Sequence, residues 1–290
     1  MNAKNIGKSL KRKMDDWVKN ISDDDIKKII KENALITGGA LVSLLIDEEP
    51  HDYDVYFKTF KSCEMVARYY TDVWNKTHPE KNIVEIKVDE AERITAYIQS
   101  AGIAAEDGET GIDDNTEPDV VESEEEQKQE KPKYRPRYFS TNAISLSDGI
   151  QLVIRFYGDV SEIHTNYDFI HCTCSYDYQS GEVNLPSRAL ESIINKELYY
   201  TGSKYPLCSI IRSRKFIARG WTINAGQYLK MCLQLNELDL KDLNVFADQL
   251  VGVDSAYFSA AIEQIKAKQE KEPDFKIDNT YLFEIINRIF

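Results

Sequence analysis

Apolar and polar positions follow two rhythms along this chain, and the change between them comes near residue 186. Before it, short apolar runs with a period of two are separated by glycines and polar clusters; after it, the period is that of a helix. The segment before residue 34 reads as helical, because Ser22-Asp23-Asp24-Asp25 offers an N-cap and first-turn acids ahead of Ile26, Ile29 and Ile30 on one face. Residues 34–37 read as a strand, Gly38-Gly39 as a tight turn and residues 40–45 as a helix; after Pro50, residues 51–57 alternate as a strand. A helix is expected near 62–74, a strand at 83–88 and a helix near 90–99. Residues 138–146 and 150–157, parted by Ser147-Asp148-Gly149, carry a strong hairpin signal, and 169–178 alternates as a further strand. Helices are expected at 187–196, 208–221, 225–235, 240–252, 254–268 and 279–290. The pattern is that of an α/β (α+β) chain: N-terminal helices over 1–33, an α/β head over 34–185 and a helical neck and tail over 186–290.

Composition changes this picture in three places. At 290 residues and 42% hydrophobic, the chain can bury one large or two modest cores, and the change of rhythm favours two. No run approaches the ~18 apolar residues of a membrane span, and no apolar stretch follows the first lysines, so a cytoplasmic protein with no membrane partner is expected. Cys63, Cys172, Cys174, Cys208 and Cys232 form no CxxC pair and no zinc spacing, which suits reduced structural thiols. Cys172 and Cys174, two apart, are read as buried neighbours on one strand face.

A net charge of −13 argues against a nucleic-acid partner until its distribution is considered. Residues 101–131 hold twelve acids and two lysines, so −10 of that charge lies in one segment and the remainder is nearly neutral. A stretch this acidic and this poor in aromatics reads as a disordered insertion in the head.

Gly38-Gly39 before a helix allows a tight turn and a close approach of backbone N–H groups to phosphates, a weak signal alone. Asp52 and Asp54 follow, two apart in a predicted strand and therefore on one face, where a divalent cation such as Mg2+ or Mn2+ would relieve their repulsion. Together these residues resemble the signature of the polymerase-β-type nucleotidyltransferase superfamily, a Gly-Gly followed by Asp-x-Asp on the next strand. Within it the chain is most similar to class II tRNA nucleotidyltransferases (CCA-adding enzymes) and bacterial poly(A) polymerases. Asn166-Tyr167-Asp168-Phe169-Ile170-His171-Cys172-Thr173, with Tyr176-Asp177 and Gly181 after it, resembles their Arg-Arg-Asp-Phe-Thr-Ile-Asn-Ala segment. Tyr205-Pro206-Leu207 through Arg212, Arg214, Lys215, Phe216, Ala218, Arg219, Gly220 and Trp221 resembles their neck helix. The likeness runs in order from about residue 34 to 225.

The resemblance implies a mixed-sheet head, an NTP substrate, Asp52 and Asp54 as catalytic metal ligands, and an RNA 3′ end as acceptor. It makes Gly38, Gly39, Ser43, Asp168, Arg212, Lys215 and Arg219 candidates for nucleotide binding. Two departures stand out. Where the family carries a third acid this chain has Gln151, with Glu85 as the alternative ligand, and Asn166-Tyr167 replace the paired arginines that hold the nucleotide. Three functions follow: nucleotidyl transfer, a nucleotide-binding or assembly component with an impaired site, and a toxin-type transferase acting on tRNA or protein. Asp168 reads equally as a nucleotide ligand or a structural carboxylate, and His171 as a hydrogen-bonded structural histidine. Arg212, Lys215 and Arg219 form either a phosphate-binding stripe or a solvated face. Lys133, Arg135 and Arg137, interleaved with Tyr134 and Tyr138, either track a single strand or pair with the acidic run. The diverged motifs and acidic insertion suggest a phage or viral origin.

Overall fold

The computed structural model describes residues 2–79, 83–98, 104–105, 132–140 and 142–249, with isolated positions between 265 and 287. These residues fall into two compact units, one ending at Asn195 and one beginning at Lys196.

In the first unit, α1 (Ala3–Lys19) buries the stripe Ile6, Leu10, Met14 and Trp17, and α2 (Asp24–Asn33) starts where the Asp23 carboxylate caps the Asp25 and Ile26 N–H groups. Strand β1 (Ala34–Thr37), helix α3 (Gly39–Leu45) and strand β2 (Tyr53–Phe57) follow as expected, and a Thr59–Ser62 capping box opens α4 (Phe60–Thr77). After β3 (Val84–Val88), β4 (Ile94–Ile98) and β5 (Ala104–Ala105) come β6 (Pro136–Phe139), β7 (Ala143–Leu146) and β8 (Ile150–Tyr157). Helix α5 (Val160–His164), strands β9 (Ser175–Asp177) and β10 (Val183–Asn184), and α6 (Ser187–Asn195) complete the unit.

Eight strands form one sheet in the order β10-β9-β1-β2-β8-β7-β6-β5, antiparallel throughout except for the parallel pair β2–β8. Helix α4 lies against β2, β6 and β8, with Trp74 meeting Phe139 edge-on at 5.5 Å. The other side carries a smaller apolar cluster, where Leu35, Tyr56 and Val153 of the sheet meet Ile163, Val160 and Tyr167 of α5 and its exit. This mixed sheet with its flanking helices is the α/β class expected for the head.

Three expectations are corrected. The helix near 90–99 is the strand β4. Asp89 accepts hydrogen bonds from the Ala91 and Arg93 N–H groups at 2.9 Å and Glu92 takes φ 55°, closing a turn that returns the chain onto β3. Ile94 and Ala96 are buried while Tyr97 is exposed, a period of two that the charged residues before Ile94 obscured. The run 138–146 is two strands, because the Ser140 hydroxyl accepts from the Asn142 and Ala143 N–H groups and reverses the chain. The run 169–178 is only in part a strand: Ile170–Thr173 forms a 3-10 turn, so Cys172 and Cys174 do not share a strand face. The Ser147–Gly149 hairpin is as expected, with Asp148 and Gly149 at φ 62° and 70° between paired Leu146 and Ile150.

In the second unit, α7 (Pro206–Ala218) begins with proline in its first turn and stops at Gly220, φ 82°, earlier than the expected 221. Helix α8 (Ala225–Leu235) has the expected bounds, and α9 (Leu243–Gln249) begins three residues later than expected, residues 250–252 lying outside the described residues. Apart from isolated positions, the expected helices at 254–268 and 279–290, and the acidic insertion apart from Ala104-Ala105, lie outside the described residues. No helix among the described residues is long and apolar enough to cross a membrane.

The buried Trp17 indole N–H donates to the Tyr70 hydroxyl at 2.7 Å, tying α1 to α4. Replacing Tyr70 with Phe strands that buried donor, and urea denaturation should show a loss of about 1–3 kcal/mol.

Candidate active site

Gly38 ends β1 and caps α3 with φ 95° and ψ −142°, a conformation that suits glycine alone. A Cβ at this position would lie 3.3 Å from Asp54 Oδ2 and 3.5 Å from the Tyr167 hydroxyl, so the carboxylate and the phenol both press on the bare turn. Nothing stands within 4 Å of the equivalent position at Gly39. The Gly38 N–H is already donated to the Cys172 carbonyl at 3.2 Å. The N–H groups open to an incoming anion are therefore those of the first turn of α3, at Gly39 and Ala40, which have no carbonyl partner within the helix. Ser43 lies beyond that turn, half-buried, where its own N–H belongs to the helix ladder.

Asp54 sits in β2, and the parallel register sets it directly opposite Gln151 of β8. Partners across a parallel pair face the same side, so Gln151 stands beside Asp54, where the family resemblance expects its third acid. Asp52 lies just outside the strand, exposed, one residue before β2. Glu85 does not join them: it is exposed on β3, which pairs with β4 in a separate two-stranded sheet. Among the described residues no three His, Cys, Asp or Glu side chains converge. A cation here would thus take two carboxylates and complete its shell with a neutral amide, water or phosphate oxygens, a donor set that Mg2+ accepts.

Tyr167, at one of the positions where the resemblance expects arginine, points to the glycine turn. Its hydroxyl bonds with Tyr56 and Thr37, and burial, reinforced by Tyr56 and Asp54, holds its pKa well above the ordinary phenol value. Thr37 also lies 2.8 Å from His164 Nε2 and 2.9 Å from the Cys174 carbonyl, which fixes the floor of the site. Burial lowers the pKa of His164, keeping that imidazole neutral. Asp168 is buried beside His171, whose pKa is pushed down to about 4 by burial, with the Asp168 charge opposing.

Sequence reasoning missed Lys13 of α1. Its ammonium lies 4.9 Å from the Tyr53 ring and 5.3 Å from that of Tyr134, donates to the Asp148 carbonyl and feels the charge of Asp52. Tyr134 is held by Asp16 at 2.8 Å, so the basic, aromatic stretch after the acidic segment packs on α1 and the β7–β8 turn. Only the helical spacing of Lys13 against Met14 and Trp17 hinted at an inward-facing lysine. Arg212 and Lys215 lie half-buried on α7 and Arg219 is its exposed C-cap, all in the second unit.

A family model described as "Gabija anti-defense 2 family protein" matches residues 8–196. A curated relative, "Gabija anti-defense 2" of Bacillus phage SPbetaL7, is 18% identical over 278 residues, which cover 93% of this chain and 56% of the relative. The chain thus spans a little over half the length of the relative it matches. Among solved structures, a tRNA-processing enzyme with CTP is 13% identical at TM-score 0.39, covering 82% of this chain and 57% of that one. The Thermotoga maritima CCA-adding enzyme complexed with tRNA is 10% identical at TM-score 0.38, covering 92% and 57%.

Two measurements probe this geometry. Gly38→Ala must strain the backbone and crowd Asp54, and should cost about 1–3 kcal/mol in urea, whereas Gly39→Ala should be near neutral. His171 is held neutral in the fold, so the unfolded chain binds the extra proton between pH 6.5 and 4. Stability should therefore fall by roughly 2 kcal/mol from pH 7.5 to pH 5, and His171→Gln should remove most of that slope.

Proposed function

We infer function from one premise: the chain belongs to the Gabija anti-defense 2 family, whose model matches well over half of it. On that premise, and on the geometry of the glycine turn, we propose a phage-encoded anti-defence protein that acts as a metal-dependent nucleotidyltransferase in the cytoplasm of an infected cell. It would move a nucleoside monophosphate from an NTP to a hydroxyl, the acceptor being an RNA 3′ end. The observation that carries this reading is the placement of Asp54 against Gly38, with Gln151 in register beside it.

Asp52 and Asp54 are the residues to hold Mg2+ or Mn2+, and the cation supplies neutralisation of phosphate charge and a lowered pKa for the attacking hydroxyl. The Gly39 and Ala40 N–H groups receive terminal phosphate oxygens. The hydroxyl oxygen attacks the α-phosphorus, the bond to the bridging oxygen breaks, pyrophosphate departs with the electron pair and the hydroxyl proton passes to water. Tyr167 and Asn166 lend hydrogen bonds where paired arginines would lend charge. Asp168 is cast as support for the segment that carries Tyr167, with Arg212, Lys215 and Arg219 as further contacts to nucleotide or RNA.

A second reading rests on the same departures. Gln151 leaves the pair one charge short, and the Tyr167 hydroxyl already occupies the space beside Gly38, which favours a nucleotide-binding or assembly component. A toxin-type transferase acting on tRNA or protein differs only in the acceptor.

Incubation with Mg2+, total RNA and each labelled NTP in turn should give label on RNA, and Asp52→Ala/Asp54→Ala should abolish it with an unchanged thermal melt. Magnesium-dependent stabilisation by an NTP without transfer would select the binding reading. Label on protein would select the toxin type.

A further inference from the structure

A second groove lies outside the glycine-turn site, between α1 and the β9–β10 turn. It has a volume of about 400 Å3, with Lys4, Lys8 and Lys11 along one side and Gly7, Val183 and Tyr176 forming its apolar floor. Spacings of four and three residues put the three lysines on one face of α1, and Gly7 keeps the helix surface low, since even a Cβ there would meet Val183 at 3.1 Å. Of the acids nearby, Asp15 binds Lys11 and the Tyr178 hydroxyl, each at 2.7 Å, and Asp177 binds Lys58 at 2.7 Å, while Glu182 of the β9–β10 turn is exposed. Lys4 and Lys8 are exposed and pair with no acid among the described residues. Beneath the groove Tyr176 is 1% exposed, and its hydroxyl is buried with no hydrogen-bond partner among the described residues.

An apolar slot rimmed by ammonium groups matches a nucleotide, with its flat base or sugar against the floor and its phosphate on the lysines. A slot of this volume, open along the helix, suits one unit of a continuing strand. We propose that this groove binds a single-stranded polynucleotide, with backbone phosphates on Lys4 and Lys8 and one nucleotide against Gly7 and Val183. The inference rests on the proposed function only in the choice of RNA as first probe, since the groove and the glycine turn are separate sites.

Fluorescence anisotropy with a labelled 12-nucleotide single-stranded RNA tests it, using the full chain at 50 and 200 mM salt. Lys4→Gln/Lys8→Gln should bind about tenfold more weakly at the lower salt, and its dependence of log K on log salt should be shallower by roughly 1.4, the share of two single-strand phosphate contacts. Asp52→Ala/Asp54→Ala should bind as the wild type does, even if transfer is lost or was never present. Equal affinity of the lysine variant and the wild type, or no binding by the wild type, overturns the proposal. Displacement of the RNA by UMP at matched nucleotide concentration overturns the polynucleotide in favour of a free nucleotide. Loss of binding in the aspartate variant places the RNA at the glycine turn and overturns the groove.

Discussion

Residue 38 has no side chain, and the geometry of the head is built around that absence. With φ at 95° and no Cβ, the chain turns from β1 into α3 tightly enough for the Asp54 carboxylate and the Tyr167 hydroxyl to reach the same spot. Any other residue would have to hold a backbone conformation that L side chains rarely adopt and would push both oxygens away. The Gly38 N–H, fixed on the Cys172 carbonyl, locks the turn to the segment that follows α5. The strand of the acids, the glycine turn and the Tyr167 segment are therefore one mechanical unit, although Gly38 and Tyr167 lie 129 positions apart in the sequence.

Local patterns in the sequence carried what depends on near neighbours. Ala34–Thr37, the glycine turn and α3 were legible because apolar strand, glycine pair and apolar helix follow one another within twelve residues. The Ser147–Gly149 hairpin was legible for the same reason. Strand β4 was not, because its partner β3 decides it and the acids just ahead of Ile94 mimic a helix start; the Asp89 side chain spends them on a turn instead. The split of 138–146 turned on one hydroxyl, that of Ser140. At the site, Asp54 and the glycine pair could be named from spacing, whereas the Asp54–Gln151 pairing spans a parallel crossover and no local pattern encodes its register. Tyr167 could be named only as a departure from the resemblance and Lys13 not at all, since both matter through what folds against them.

The departures from the nucleotidyltransferase pattern that the sequence resembles remove charge of both signs. A third carboxylate would add repulsion that only cations could relieve, and paired arginines would add charge that only phosphates could satisfy. Gln151 removes one carboxylate and Asn166-Tyr167 two guanidinium groups, so the site can fold with less cost in the absence of ligand. The neutral His164 and the hydroxyls of Thr37, Tyr56 and Tyr167 form a polar floor that is content by itself. A nucleotide on such a floor would be held by shape and hydrogen bonding more than by charge, with selectivity for a metal complex left to the two aspartates.

That shift makes the charge elsewhere on the head more consequential. The overall balance is acidic, yet α1 gathers Lys4, Lys8 and Lys11 over a floor containing a buried hydroxyl with no described partner, while its next lysine, Lys13, turns inward between two tyrosines toward Asp52. One helix thus faces two functions, its outer stripe to solvent and its inner stripe to the acid-bearing strand. A polyanion drawn to the outer lysines is held by contacts that do not compete with the metal ligands, because the two sets of charges lie on separate surfaces of the same element. On the two proposals made above, polymer and nucleotide would bind separate faces of the first unit.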